Sequence, residues 1–369
     1  MTRTRLPVTP FIARIAFLLT PFVALVPSAA AAQDPGAPPR VIARIAPERI
    51  AWFERYQEAR KGAEANQTIV RTFKVAPGTS LDVFNMAGDV TVTGVSGDQI
   101  AVTAVKQVWG GDGKAQLENI GVDFNETSGR LEVRTSLGRA RNSQAEVSFT
   151  IDVPFDTPVF VRTISGDVTV AKVRGDLQVE STSGTVEATG TPRVLRLKTI
   201  SGDVRITDAS APDVLSASTV SGSVEARGLK ARGLEVVSVS GDLVLFNTAC
   251  DRAQLRTVNG NVQYVGSMSK GGRYEISSHS GDVRFELVGN GGFELSARTF
   301  NGEVNSELPL VMGKQPDEGD IPGMPKNHDI RGTYGDGSAL LIVKTFSGDV
   351  TVGRAEADNG KDRKDKRKD

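Results

Sequence analysis

From Thr68 onward apolar and polar residues alternate in short bursts: Leu81 and Val83, then Asp89-Val-Thr-Val-Thr-Gly94 after a corner at Ala87-Gly88, then Ile100-Ala-Val-Thr-Ala-Val105. A period of two predicts β-strands, because successive side chains on a strand point to opposite faces. Between about Val159 and Leu308 the alternation becomes regular. It is punctuated by Ser-Gly-Asp or a near variant, with glycines at Gly166, Gly184, Gly202, Gly222, Gly241, Gly260, Gly281 and Gly302, and once more at Gly348. The steps between them are 18, 18, 20, 19, 19, 21 and 21 residues, followed by one of 46. A repeat near twenty residues predicts an all-β parallel solenoid, or β-helix, of about 18–21 residues per coil.

One coil carries the logic. Around Gly202, Leu195 and Leu197 before the glycine and Val204 and Ile206 after it share one side, and Leu234, Val236, Leu243 and Leu245 repeat this around Gly241. The alternate positions hold Arg196, Lys198, Arg205, Glu235 and Val244, a largely polar set expected to face solvent. A coil this small cannot bury its apolar side alone; stacking at roughly 4.8 Å builds a continuous narrow core. The corner glycines, Gly88 included, are therefore structural, placed where the chain needs a positive φ that other residues adopt poorly.

The flanks read differently. Arg3, Arg5 and Arg14, an apolar run from Ile15 to Val26 and the small residues Ser28 to Ala32 predict a signal peptide over 1–32. The run is shorter than the roughly twenty apolar residues of a membrane span and is broken by Thr20 and Pro21. Residues 33–67 are expected to hold a Pro/Gly-rich linker and one short helix, with Pro47 and Glu48 at its start, Arg60, Lys61 and Gly62 at its end, and Ile50, Trp52, Phe53, Tyr56 and Ala59 on its apolar side. Residues 68–158, lacking regular glycine corners, read as an irregular β lead-in that caps the solenoid over 159–354. A loop is expected to leave the array at 313–337, where Pro316, Pro322 and Pro325 cluster, and 355–369 is a charged, disordered tail.

The signal peptide, the segment Phe84-Asn-Met-Ala-Gly-Asp-Val-Thr-Val and the recurring Thr-Ile/Val-Ser-Gly-Asp-Val, at Thr163 to Val168, Thr199 to Val204, Ser238 to Leu243 and Thr345 to Val350, resemble the domain of unknown function 4097 family, whose members are described as candidate adhesins. The resemblance spans about residues 68–353. It implies a β-solenoid at the bacterial cell envelope and brings no catalytic residue with it. Thr185, Ser223, Asn261 and Glu303 replace the Asp of the pattern.

Composition narrows function. Lys and Arg number 44 against 44 Asp and Glu, so the basic footprint of a nucleic-acid binder is missing. The lone Cys250 leaves no disulfide to form, and aromatics at 6% with 39 glycines suit thin β layers. Two histidines, His279 and His328, and no nucleophile, zinc or phosphate motif argue against catalysis. A β-helix polysaccharide-cleaving enzyme working with pairs such as Asp203/Arg205 or Asp282/Arg284 stays open beside the alternative of surface ion pairs.

No catalytic, metal or cofactor site is assigned. Three ladders remain. Asp167, Asp203, Asp242, Asp282 and Asp349 either cap turn amides or hold calcium. Hydroxyls three residues before each glycine, from Thr163 to Thr345, either satisfy the corner backbone or line a sugar-binding face. Ile200, Val220, Val239, Val258, Phe300 and Phe346, two residues before their glycines, form an apolar stripe with Ile164, Thr182 and His279. Strict alternation puts that stripe outside, as an interaction surface; a bend at the corner or the helix near Trp52 would cover it. The expected partner is an envelope component, protein or glycan. The reading is an exported, adhesin-like binding or scaffolding module, with an envelope-stress or regulatory component and a carbohydrate-active enzyme as alternatives.

Overall fold

The computed structural model of the chain describes residues 65–109, 113–137, 144–312 and 328–355. The expected signal peptide, short helix and charged tail lie outside the described residues, as does most of the expected loop; of the expected linker region 33–67, residues 65–67 are described and begin the strand Ala65–Lys74. Within them the chain forms 25 strands in one hydrogen-bonded network and a single short helix, Gly113–Glu118. No helix among the described residues is long and apolar enough to cross a membrane.

Each coil has one strand before its glycine and one after. Val168 pairs with Val186, Val186 with Val204, Val204 with Val224, Val224 with Leu243, Leu243 with Val262 and Val262 with Val283, all parallel. Inward side chains form one core: Leu197, Val204, Ile206, Leu234, Val236, Leu243 and Leu245 are buried. Toward the C-terminal end the core turns aromatic, with Tyr264 stacked on Phe285 at 5.3 Å and Phe285 edge-on to Phe293. Leu195 departs from the expected pattern. The register slips between Leu177 and Gln178, so Leu177 lies beside Val194 and Gln178 beside Arg196; Leu195 is the extra residue of a bulge and only half-buried, and Val194 points in instead.

Stacking order and chain order differ at both ends. The strands around Gly281 pair with those around Gly348, Val262–Ser280 with Ala339–Ser347 and Val283–Leu287 with Val350–Arg354. The coil of Gly302, with strands Phe293–Asn301 and Val304–Ser306, stacks on the far side of the Gly348 coil. The last repeat thus does not close the domain, as its place in the sequence suggests; it is inserted between two earlier ones. The long gap makes this reachable, and part of it is ordered: His328–Tyr334, within the expected loop, is a strand lying antiparallel on Phe293–Asn301.

The other end mirrors this. Ser80–Ala87 and Val90–Val95, flanking Gly88, pair with Val159–Ser165 and Val168–Ala171 on one side and with Arg130–Leu137 and Gln144–Pro154 on the other. The outer coil is again capped by antiparallel strands, Gln99–Trp109 on Gln144–Pro154 and Ile120–Thr127 on Arg130–Leu137. Parallel stacking ends where an antiparallel strand covers the exposed edge.

Candidate interaction surface

The corner is built from three stacked rows. At Gly166 φ is 120°, the positive region expected. Packing supplies a second reason: a Cβ at Gly241 would lie 1.9 Å from the Gly222 carbonyl oxygen, and one at Gly260, whose φ is not in the left-handed region, would lie 2.2 Å from that of Gly241. Each glycine lets the next coil rest on its neighbour's carbonyl.

That carbonyl is met by the hydroxyl row. Thr199 donates to Gly184 O at 3.1 Å, Thr219 to Gly202 O at 2.9 Å, Ser238 to Gly222 O at 3.0 Å and Thr257 to Gly241 O at 3.1 Å. In stacking order Thr345 then donates to Gly281 O and Thr299 to Gly348 O. These hydroxyls are buried, at most 7% exposed, so they satisfy the corner and do not line a sugar-binding face; in the same row Thr163 donates to Ser165 O, and Ser181 Oγ is buried without a partner among the described residues. In the Gly88 coil the buried Asn85 fills this position and donates to Gly88 O and Val147 O.

The acidic row bonds from coil to coil. Asp167 Oδ1 accepts from the Thr185 amide at 2.7 Å, Asp203 from Ser223, Asp242 from Asn261, Asp282 from Asp349 and Asp349 from Glu303. Ser223 Oγ and Asn261 Oδ1 do the same for the amides of Asp242 and Asp282. The position needs a short acceptor rather than a charge, which explains how Ser and Asn replace Asp. Among the described residues no three metal-ligating side chains gather around one point. The pair Asp203/Arg205 is a surface contact at 2.8 Å, whereas Arg284 turns away from Asp282 to Glu286.

The apolar row is open to solvent. Ile200, Val220, Val239, Val258, Phe300 and Phe346 are each 41–48% exposed, and so is Ile164. Because the Gly348 coil is inserted, the aromatic members run His279, Phe346, Phe300: Phe346 stacks on His279 at 4.9 Å and on Phe300 at 4.9 Å, the rings within 14° and 7° of parallel. Two residues earlier on the same side of the strand lies a row that the sequence reading did not weigh. It holds Arg162, Lys198, Arg256, Lys344 and Arg298, all exposed, with Glu180, Ser218, Val237 and Ser277 at the other coils. Arg162 is held by Glu180 at 3.2 Å, while Arg256, Lys344 and Arg298 form no ion pair among the described residues. The spacing Lys/Arg-Thr-apolar-x-Gly, visible in the chain, is the signal that could have found it.

Cys250 is buried against the Tyr264 hydroxyl at 3.6 Å, and burial pushes its thiol up to about 11. It holds a proton at neutral pH and is a poor nucleophile.

The chain matches the Toastrack DUF4097 family over residues 79–353. It belongs to that family. No curated protein matches it. Similar solved structures include a candidate lipid-binding protein from Parabacteroides distasonis (11% identity, 80% of this chain and 98% of that one, TM-score 0.44) and a candidate adhesin from Bacteroides fragilis (12%, 78% and 97%, 0.41). A candidate cell adhesion protein from Clostridium sporogenes shares 9% identity over 78% of this chain and all of its own, with a TM-score of 0.23. Nothing about ligand chemistry passes to this Toastrack chain at such identities.

Proposed function

We infer that the protein is an exported, non-catalytic Toastrack solenoid that acts through its surface, as an adhesin-like binding or scaffolding module of the cell envelope. The observation that carries this reading is the apolar row. Solvent-exposed apolar side chains aligned over successive coils on a rigid face are a binding feature rather than a packing one. The reactive groups support the same reading: the only thiol is buried and protonated, and His279 is engaged in the ring stack. Many outward Arg and acid side chains pair with each other, two residues apart along single strands as at Arg227/Glu225 and Arg273/Glu275 or across neighbouring strands as at Arg162/Glu180.

The test is binding of the chain from Gln33 to isolated envelope fractions and a glycan panel, with turnover of the same glycans followed in parallel. Saturable binding that Val239→Ser/Val258→Ser weakens, without product, is expected. Product release would overturn the non-catalytic reading.

A further inference from the structure

Five coils present the same triplet across the corner: a cation, an apolar side chain two residues on, and an acidic or polar residue three beyond that. Lys344, Phe346 and Asp349 form one, and Arg298, Phe300 and Glu303 form the next. The strand register places Arg256 beside Ser277, Ser277 beside Lys344 and Lys344 beside Arg298, so the rows run straight along the stack. The apolar row therefore has a basic border on one side, free of ion pairs among the described residues at Arg256, Lys344 and Arg298, and an acidic border on the other. An anionic lipid surface would meet repulsion along one edge of it. A second copy of the same chain, turned by half a turn about an axis parallel to the stack, would set apolar row on apolar row and each basic border on the other copy's acidic border.

We propose that this face docks a second copy of the chain in a two-fold, self-complementary arrangement. The inference rests on the binding reading above and names the partner for the same face. A closed two-fold contact of this kind uses one patch twice and does not propagate. Five residues across and nine coils from Gly166 to Gly302 give on the order of 600 Å² per copy from standard strand spacings. That is the low end for specific interfaces, so the dimer is weak, and its opposed borders make it salt-sensitive.

The experiment is sedimentation equilibrium of the chain from Gln33 over a wide concentration range, with Lys344→Glu/Arg298→Glu and Glu303→Lys/Asp349→Asn made as separate variants. All four side chains are exposed, and Asn at 349 keeps the acceptor for the Glu303 amide. Each variant alone is expected to self-associate at least about tenfold more weakly than the parent. Mixed together, the two variants are expected to associate with each other, which loss of folding cannot imitate. A parent that stays monomeric at every concentration overturns the proposal, as does a mixture no stronger than its parts. If that monomer still binds envelope fractions and Val239→Ser/Val258→Ser abolishes it, the binding reading survives and only self-docking falls. Co-sedimentation of the monomer with phosphatidylglycerol vesicles, lost in Phe346→Ser, would assign the face to lipid instead.

Discussion

Between Gly166 and Gly281 the coils stack in the order in which they occur in the chain, whereas the last three occur as 281, 302, 348 and stack as 281, 348, 302. Local pattern is the same in both regions. The difference lies in the connections: short turns leave a coil no choice of neighbour, while the step of 46 residues from Gly302 to Gly348 lets the chain build an outer coil first and fill the slot behind it. From Gly166 onward each coil carries a buried hydroxyl three residues before a corner glycine, so the corner does not choose among neighbours and the connection decides the order.

Removing residues 339–369 tests this contrast most severely. The truncation takes away Leu341, Val343, Val350 and Val352, four buried side chains worth roughly 1.5–3 kcal/mol each. It also leaves the Gly302 coil without the neighbour it stacks on. Amide hydrogen exchange is expected to show residues 293–306 losing protection while the coils from Gly166 to Gly241 keep theirs. Full protection at 293–306 would mean that this coil can settle directly on the Gly281 coil, and that the observed order is one of two.

Single corners compare the same regions more finely. Gly241→Ala forces a Cβ into the Gly222 carbonyl between two fixed neighbours and is expected to destabilise by roughly 2–5 kcal/mol, overpacking and backbone strain adding. Gly302→Ala, with a contact of 2.2 Å on an outer coil that can shift, should lose less. Gly97→Ala is the control, since φ is 143° there but nothing lies within 4 Å of the added carbon. Denaturant melts of the three rank the effects; equal losses at Gly97 and Gly241 would assign everything to φ and nothing to stacking.

The smallest effects come from the rows that stitch the corner. Thr219→Val leaves the Gly202 carbonyl without its hydroxyl donor and should lose about 1–3 kcal/mol, with Thr219→Ser retaining most of the stability. Thr299→Val, at the outer coil, removes the same kind of bond from Gly348 O and should mainly raise local opening there. A global loss as large as that at Thr219 would show that the inserted coil is as firmly held as the central ones.

Much of this was legible in the chain. Period-two alternation and the glycine spacing identify strands, corners and parallel stacking, and alternation alone puts Phe346 outside and Val343 inside. Leu195 departs from the alternation because a bulge shifts the register by one residue and carries no signal within its own strand. The sequence leaves the hydroxyl row open between corner chemistry and a sugar-binding face, because its acceptor is the glycine of another coil, which a sequence does not display. Stacking order is the deepest omission. It is a property of where a long connection returns, and Thr345 to Val350 reads the same wherever that coil is placed.

The inserted coil also sets how the molecule answers force. Ala339–Ser347 is hydrogen-bonded along its length to a parallel strand on either side. A load applied beyond Arg354 reaches Val350–Arg354 first, which lies between Val283–Leu287 and Val304–Ser306, and then Ala339–Ser347, so both strands leave the stack only by breaking a parallel ladder on each side. An inserted coil of this kind resists tension at the last described strand more than the open end of a stack would.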